Sequence, residues 1–178
     1  MINAQQWLDN QYPRWGRWQI EILNIDKLGL IGELDLSDFV NLQYLSCSFN
    51  QLTDISLSNC KKLTVVECGG NDKLRNLCLG GCNNLQSLSF FDNYNLTNLN
   101  LSCANLVNID CRGNRFINLN SLLNFLNPEK VKRLEFGGYN GSGFSEQDLS
   151  CFSRFINLEV LRIENNNFIY LLDYKKNK

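Results

Sequence analysis

The chain has no histidine among its 178 residues. That removes imidazole from general acid–base chemistry, from nucleophile activation and from metal ligation. No apolar run approaches the ~18 residues a membrane-spanning helix needs. The first ten residues, Met1 to Asn10, lack the basic end and apolar middle of a secretion signal. With Met1 as the native start, the expected location is the cytoplasm. A net charge of -1 offers no general attraction to nucleic acid or to an anionic membrane. No Cys-x-x-Cys pair occurs, and Cys78-x-x-x-Cys82 alone is a poor zinc signature. The glycine-rich stretch 137–143 lacks the Gly-Lys-Ser/Thr ending of a phosphate-binding loop. No Ser or Cys has an evident base to activate it. The expectation is a chain without catalytic residues, metal or cofactor.

What the chain does have is a repeated pattern. Leu42-x-x-Leu45-x-Cys47-x-x-Asn50 returns as Leu63-x-x-Val66-x-Cys68-x-x-Asn71 and as Leu85-x-x-Leu88-x-Phe90-x-x-Asn93. It returns again as Leu106-x-x-Ile109-x-Cys111-x-x-Asn114 and as Leu158-x-x-Leu161-x-Ile163-x-x-Asn166. Weaker copies start at Ile20 and Val131, with Leu28 and Tyr139 at the Asn position. Alternating apolar residues place one face of a short strand inward. One such strand cannot bury that face, whereas copies set side by side make a parallel sheet over a continuous core. The recurrent Asn falls where the chain leaves the strand, and its amide can both donate to and accept from backbone groups that have lost ladder partners.

The copies begin at 20, 42, 63, 85, 106, 131 and 158, a spacing of 21–27 residues. This period and Leu spacing resemble the leucine-rich repeat, over roughly residues 20–170. The resemblance implies an α/β solenoid: a right-handed superhelix with a parallel β-sheet on its concave face. It also implies an asparagine ladder of Asn50, Asn71, Asn93, Asn114 and Asn166. The early copies carry a second apolar triplet, such as Ile31/Leu34/Leu36 and Leu52/Ile55/Leu57, which predicts strand-backed, internalin-like coils. The longer late copies leave room for helices, over 121–126 and after a capping-box-like Ser145–Asp148. The array is therefore expected to pass from strand-backed to helix-backed coils.

Residues 1–19 are not repeat-like. Asn3 is positioned to cap a helix over 4–12 that Pro13 stops. Trp7, Leu8, Tyr12, Trp15 and Trp18 suit either a cap over the first coil or an aromatic binding patch. Residues 171–178 form a basic tail. An uncapped last coil would invite self-association through the open C-terminal end.

The eight cysteines fall mainly into two columns, Cys47/Cys68/Cys111 and Cys60/Cys82/Cys103, where they read as small buried hydrophobes. Cys78 lies between two inward leucines and is expected to face outward as the most reactive thiol.

In leucine-rich-repeat proteins the concave sheet is the usual partner surface. Here its outward positions include Tyr44, Val65, Glu67, Phe91, Asp110, Arg112, Arg133, Glu135, Arg162 and Glu164. Two readings stand side by side: ion pairs that solubilise the sheet, or a hydrophobic anchor beside a charged rim that binds another protein. An alternative is a secreted or surface protein that recognises a host protein, ligand or glycan. The Asn95, Asn100 and Asn140 sequons would then carry glycans.

Overall fold

A computed structural model describes residues 2–101, 105–115, 122–137 and 149–163. The chain enters through β1 (Ile2–Asn3), α1 (Ala4–Gln11) and a 3-10 helix (Arg14–Gln19). It then alternates between two parallel sheets. The first sheet holds seven strands: β2 (Ile22–Asn24), β4 (Tyr44–Ser46), β6 (Val65–Glu67), β8 (Ser87–Ser89), β10 (Asn108–Asp110), β11 (Arg133–Glu135) and β12 (Val160–Arg162). The second places β3 (Leu30–Asp35), β5 (Gln51–Ser56), β7 (Asn76–Cys78) and β9 (Asn98–Asn100) side by side behind it, with β1 on its edge. Each strand of the first sheet comes from one copy of the sequence pattern.

Register follows the repeat. Leu23, Leu45, Val66, Leu88, Ile109, Leu134 and Leu161 pair in one row. All but Leu161 are buried. Two residues on, Ile25, Cys47, Cys68, Phe90, Cys111 and Phe136 form a second inward row, also buried. The second sheet fills the core from behind with Leu34, Leu52, Ile55, Leu57, Leu77 and Leu79. At the first copy the core takes Leu30 rather than Ile31, which is only half-buried. The register shifts there: Gly32 and Glu33 pair with Leu52 and Asp54, so β5 takes one extra residue, Thr53, while Leu30, Leu34 and Leu36 keep an even spacing in this coil.

The ladder amides bridge neighbouring coils. Asn50 Nδ2 donates to the carbonyls of Ile25 (2.9 Å) and Cys47 (3.1 Å). Asn93 Nδ2 donates to Cys68 (3.2 Å) and Phe90 (2.9 Å), and Asn114 Nδ2 to Phe90 and Cys111, both at 2.9 Å. Their oxygens turn the other way: Asn50 Oδ1 accepts from the Leu28 and Leu30 amides, and Asn93 Oδ1 from the Asn71 amide. Asn114 Oδ1 finds no donor among the described residues. Just before each ladder position the chain turns through a left-handed residue: Lys27, Phe49, Gly70, Asp92 and Gly113, with φ between 53 and 71. Asn166 and Tyr139 lie outside the described residues.

The N-terminal segment packs on the first coil, with β1 paired to β3 and α1 against it. Asn3 caps α1 by accepting from the Gln6 amide, and α1 buries Ala4 and Leu8 in the common core. Arg17 is buried in this segment, a position the aromatic pattern did not reveal. Its Nε donates to the Tyr12 carbonyl at 2.8 Å, it pairs with Asp9 and, at 3.3 Å, with Asp38, and its guanidinium lies 5.6 Å from the Phe39 ring centroid. Trp15 and Trp18 remain exposed.

Of the expected late helices, residues 122–123 are helical and Leu149–Phe152 is a 3-10 turn. The Ser145–Asp148 capping sequence and the tail 171–178 lie outside the described residues.

The outer face of the first sheet as candidate functional site

The outward side chains form two aligned rows. One runs Ile22, Tyr44, Val65, Ser87, Asn108, Arg133, Val160. The other runs Asn24, Ser46, Glu67, Ser89, Asp110, Glu135, Arg162. Ser48, Gly69, Phe91 and Arg112 follow two residues after the second row. Parallel stacking thus brings most of the candidate residues onto one surface, and Glu164 lies outside the described residues.

At the N-terminal end the acids are spent on internal hydrogen bonds. Asp26 accepts from the Ser46 hydroxyl (2.7 Å) and the Ser48 amide (2.6 Å). Glu67 accepts from the Tyr44 hydroxyl at 2.8 Å. Desolvation, and then that carboxylate, push the Tyr44 phenol above its ordinary pKa. Tyr44, Val65 and Phe91 are half-buried rather than fully presented. Phe91 lies over Gly69, where any Cβ would strike its ring. It also meets Phe49 edge to face at 5.7 Å, and Lys27 Nζ sits 5.2 Å from the Phe49 centroid. Phe49 is about half exposed and completes an aromatic pair. The repeat pattern missed it because Phe49 falls in the turn column, not on a strand.

The C-terminal end is built around Glu135. Its side chain is 4% exposed and faces three guanidiniums: Arg133 Nε at 2.5 Å, Arg112 Nε at 3.3 Å and Arg162 Nη1 at 3.4 Å. Arg112 also grips Asp110 with two nitrogens, at 2.7 and 2.9 Å. Sequence alone offered Glu135 as a presented charge, but three arginines cover it. A buried carboxylate needs such partners, because desolvating it uncompensated costs several kcal/mol. A depression of about 300 Å³ opens between these arginines and a floor that includes Ser87, Ser89 and Asn108.

No disulfide joins one described cysteine to another. Burial pushes the Cys60 and Cys68 thiols up to about 12 and raises Cys47 and Cys111 well above their ordinary range. Cys60 and Cys82 donate weakly to the carbonyls of Leu36 and Leu57, one coil back. Cys78 and Cys151 are half-buried. Among the described residues no three His, Cys, Asp or Glu side chains group to hold a metal, and no helix is long and apolar enough to cross a membrane.

Known proteins share this architecture. The family described as Leucine Rich repeats (2 copies) matches residues 40–79. The functional domain of InlJ from Listeria monocytogenes, described as including a cysteine ladder, is similar at 18% identity and a TM-score of 0.54. The match covers 83% of this chain but only 44% of the InlJ domain, so the chain spans less than half of that relative. An internalin, inlF, from the same organism aligns at 17% identity over 86% of this chain and 69% of its own, with a TM-score of 0.29 that carries no weight for fold. No curated protein matches the sequence. The recurrent Leu and Asn positions, the Leucine Rich repeats match over 40–79 and the two parallel sheets together show a parallel-strand solenoid with the fold of the InlJ domain.

Proposed function

We propose that this chain is a non-catalytic interaction module that docks another protein on the outer face of its seven-stranded sheet, in the cytoplasm. One observation carries the reading: the Phe49–Phe91 pair and the arginines around Glu135 share one continuous, backbone-satisfied surface. Aromatic anchors next to arginine are the composition of binding hot spots. A sheet whose strands are paired across seven coils presents them with little to reorganise on docking. In this reading residues 1–19 cap an array over 20–170, and 171–178 are a tail. The thiol rows serve as packing, a counterpart of the cysteine ladder described for InlJ.

The test is affinity capture from native lysate with wild type and a Phe91→Ala/Arg133→Ala double variant, read by mass spectrometry. A protein bound by wild type and lost with the variant is the expected result. Identical capture lists would move the docking surface off this sheet.

A second reading, a secreted or surface recognition protein, draws on the exposure of the sequon residues Asn95 and Asn100. Thiol counting and glycan mass on protein from its native source decide it. Eight free thiols and no glycan are expected under the cytoplasmic reading, whereas glycosylation or disulfides would favour the second.

A further inference from the structure

We infer that the partner presents an acidic segment, whose carboxylates enter the depression walled by Arg133, Arg162 and Arg112. This rests on the docking reading above and specifies its chemistry.

The argument begins with which charges reach solvent. Among the described residues the cluster contains three guanidiniums and two carboxylates, a local excess of one positive charge. The carboxylates are the covered members: Glu135 is 4% and Asp110 20% exposed. The guanidiniums stand at 43%, 43% and 48% for Arg112, Arg133 and Arg162. The buried glutamate therefore orients the arginines without neutralising what they present. Holding long side chains in place in advance lowers the ordering entropy a ligand must offset.

The remaining donors suit a carboxylate. A guanidinium carries five N–H donors in a fixed fork. Toward Glu135, Arg133 uses Nε and Arg162 uses Nη1. The floor adds polar side chains from Ser87, Ser89 and Asn108, which are short enough to leave space above them. At about 300 Å³ the depression admits one or two acidic side chains. A local excess of one charge on a chain of net charge -1 fits such a segment better than the long track of phosphates in a nucleic acid.

A random-peptide display library selected on the wild-type protein tests the inference. Each enriched peptide is then measured by fluorescence anisotropy against wild type, Arg162→Gln, Arg112→Gln, Phe91→Ala and the exposed control Lys61→Gln. Arg162 makes the longest contact to Glu135, so its variant is expected to melt with wild type, and Arg112→Gln supplies an independent second variant. The expected peptides carry Asp or Glu and bind at least tenfold more weakly to Arg162→Gln, with no change for Lys61→Gln. Peptides without acidic residues, lost with Phe91→Ala but indifferent to the arginine variants, would overturn the acidic partner and leave the docking reading standing. Peptides indifferent to every substitution on the sheet, or no enrichment at all, would overturn both. A dT12 oligonucleotide that binds tightly and depends on Arg162 would replace the acidic segment with a phosphate backbone.

Discussion

The side-chain amide of Asn71 donates to the carbonyl of Cys47, one full coil earlier, at 3.1 Å. The same nitrogen donates to Cys68 of its own coil at 3.0 Å, while its oxygen accepts from the Leu52 amide at 3.2 Å. One fully buried side chain thus ties three backbone segments. Asn71→Ala strands those groups, and a buried unsatisfied polar group costs about 1–3 kcal/mol. A urea midpoint lowered accordingly, at unchanged slope, is the expected result. Asn114→Ala should cost less, because its Oδ1 has no described donor to lose.

Arg17 is the polar centre of the N-terminal segment. Arg17→Ala removes a charge-assisted bond to the Tyr12 carbonyl and the packing over Phe39, for an expected loss of about 2–3 kcal/mol. Asp9 and Asp38 are half exposed and rehydrate, so the loss stays below that of stranding a buried ion. Arg17→Lys should recover less than half, since an ammonium lacks the fork that reaches Tyr12, Asp9 and Asp38 together. Thermal denaturation of the three proteins checks the order.

Alkali should weaken the fold through its thiols. An unfolded thiol ionises near 9.0, while Cys60 and Cys68 hold their protons to about 12 in the fold. Folded values above unfolded ones mean a contribution fully present below pH 9 and lost as pH rises toward 12. Each such thiol adds about 1.4 kcal/mol of loss per pH unit in that window. Urea midpoints at pH 8 and pH 10.5 should show a smaller drop for Cys68→Ala than for wild type. In native protein at pH 8, Cys78 and Cys151 should react with a thiol reagent before Cys47, Cys60, Cys68 or Cys111.

Turn geometry predicts opposite outcomes at equivalent positions. Gly70 has φ +68, and a Cβ there would lie 2.7 Å from the Phe49 ring. Gly70→Ala should cost about 1–2 kcal/mol for the left-handed backbone alone and should also displace Phe49. Lys27 occupies the same turn one side chain at a time, without glycine's freedom, at φ 56. Lys27→Gly relieves that strain and should be neutral or slightly stabilising. Melting temperatures of the two variants separate the effects.

The architecture was legible because it rests on repetition. Leu45, Val66, Leu88 and Ile109 state the strand slot independently, and the Asn column marks where each strand ends. Coils that depart from the repeat were read less well. Ile31 fits the three-residue spacing of Leu52 and Ile55, but that spacing includes the extra residue Thr53 of β5, and the strand without it buries Leu30 at an even spacing from Leu34 and Leu36. Arg17 was hidden because nothing local announces a buried charge; its partners Asp9 and Asp38 are brought to it by tertiary folding. The outward rows of the site followed from strand alternation, but their roles did not. Glu135 looks like any outward acid until three coils supply Arg112, Arg133 and Arg162 around it. Phe49 sits in a turn column that strand alternation does not address.

The row Ser46, Glu67, Ser89, Asp110, Glu135, Arg162 has a modular consequence. Residues 21–27 apart in the chain become neighbours about 4.8 Å apart across the sheet. Excising or duplicating one whole coil would slide the basic end toward or away from the aromatic pair by one such step, leaving each coil's internal bonding intact. Gain or loss of a coil would therefore retune the spacing of this surface like a ruler with fixed divisions, while point substitution changes only what stands at a mark.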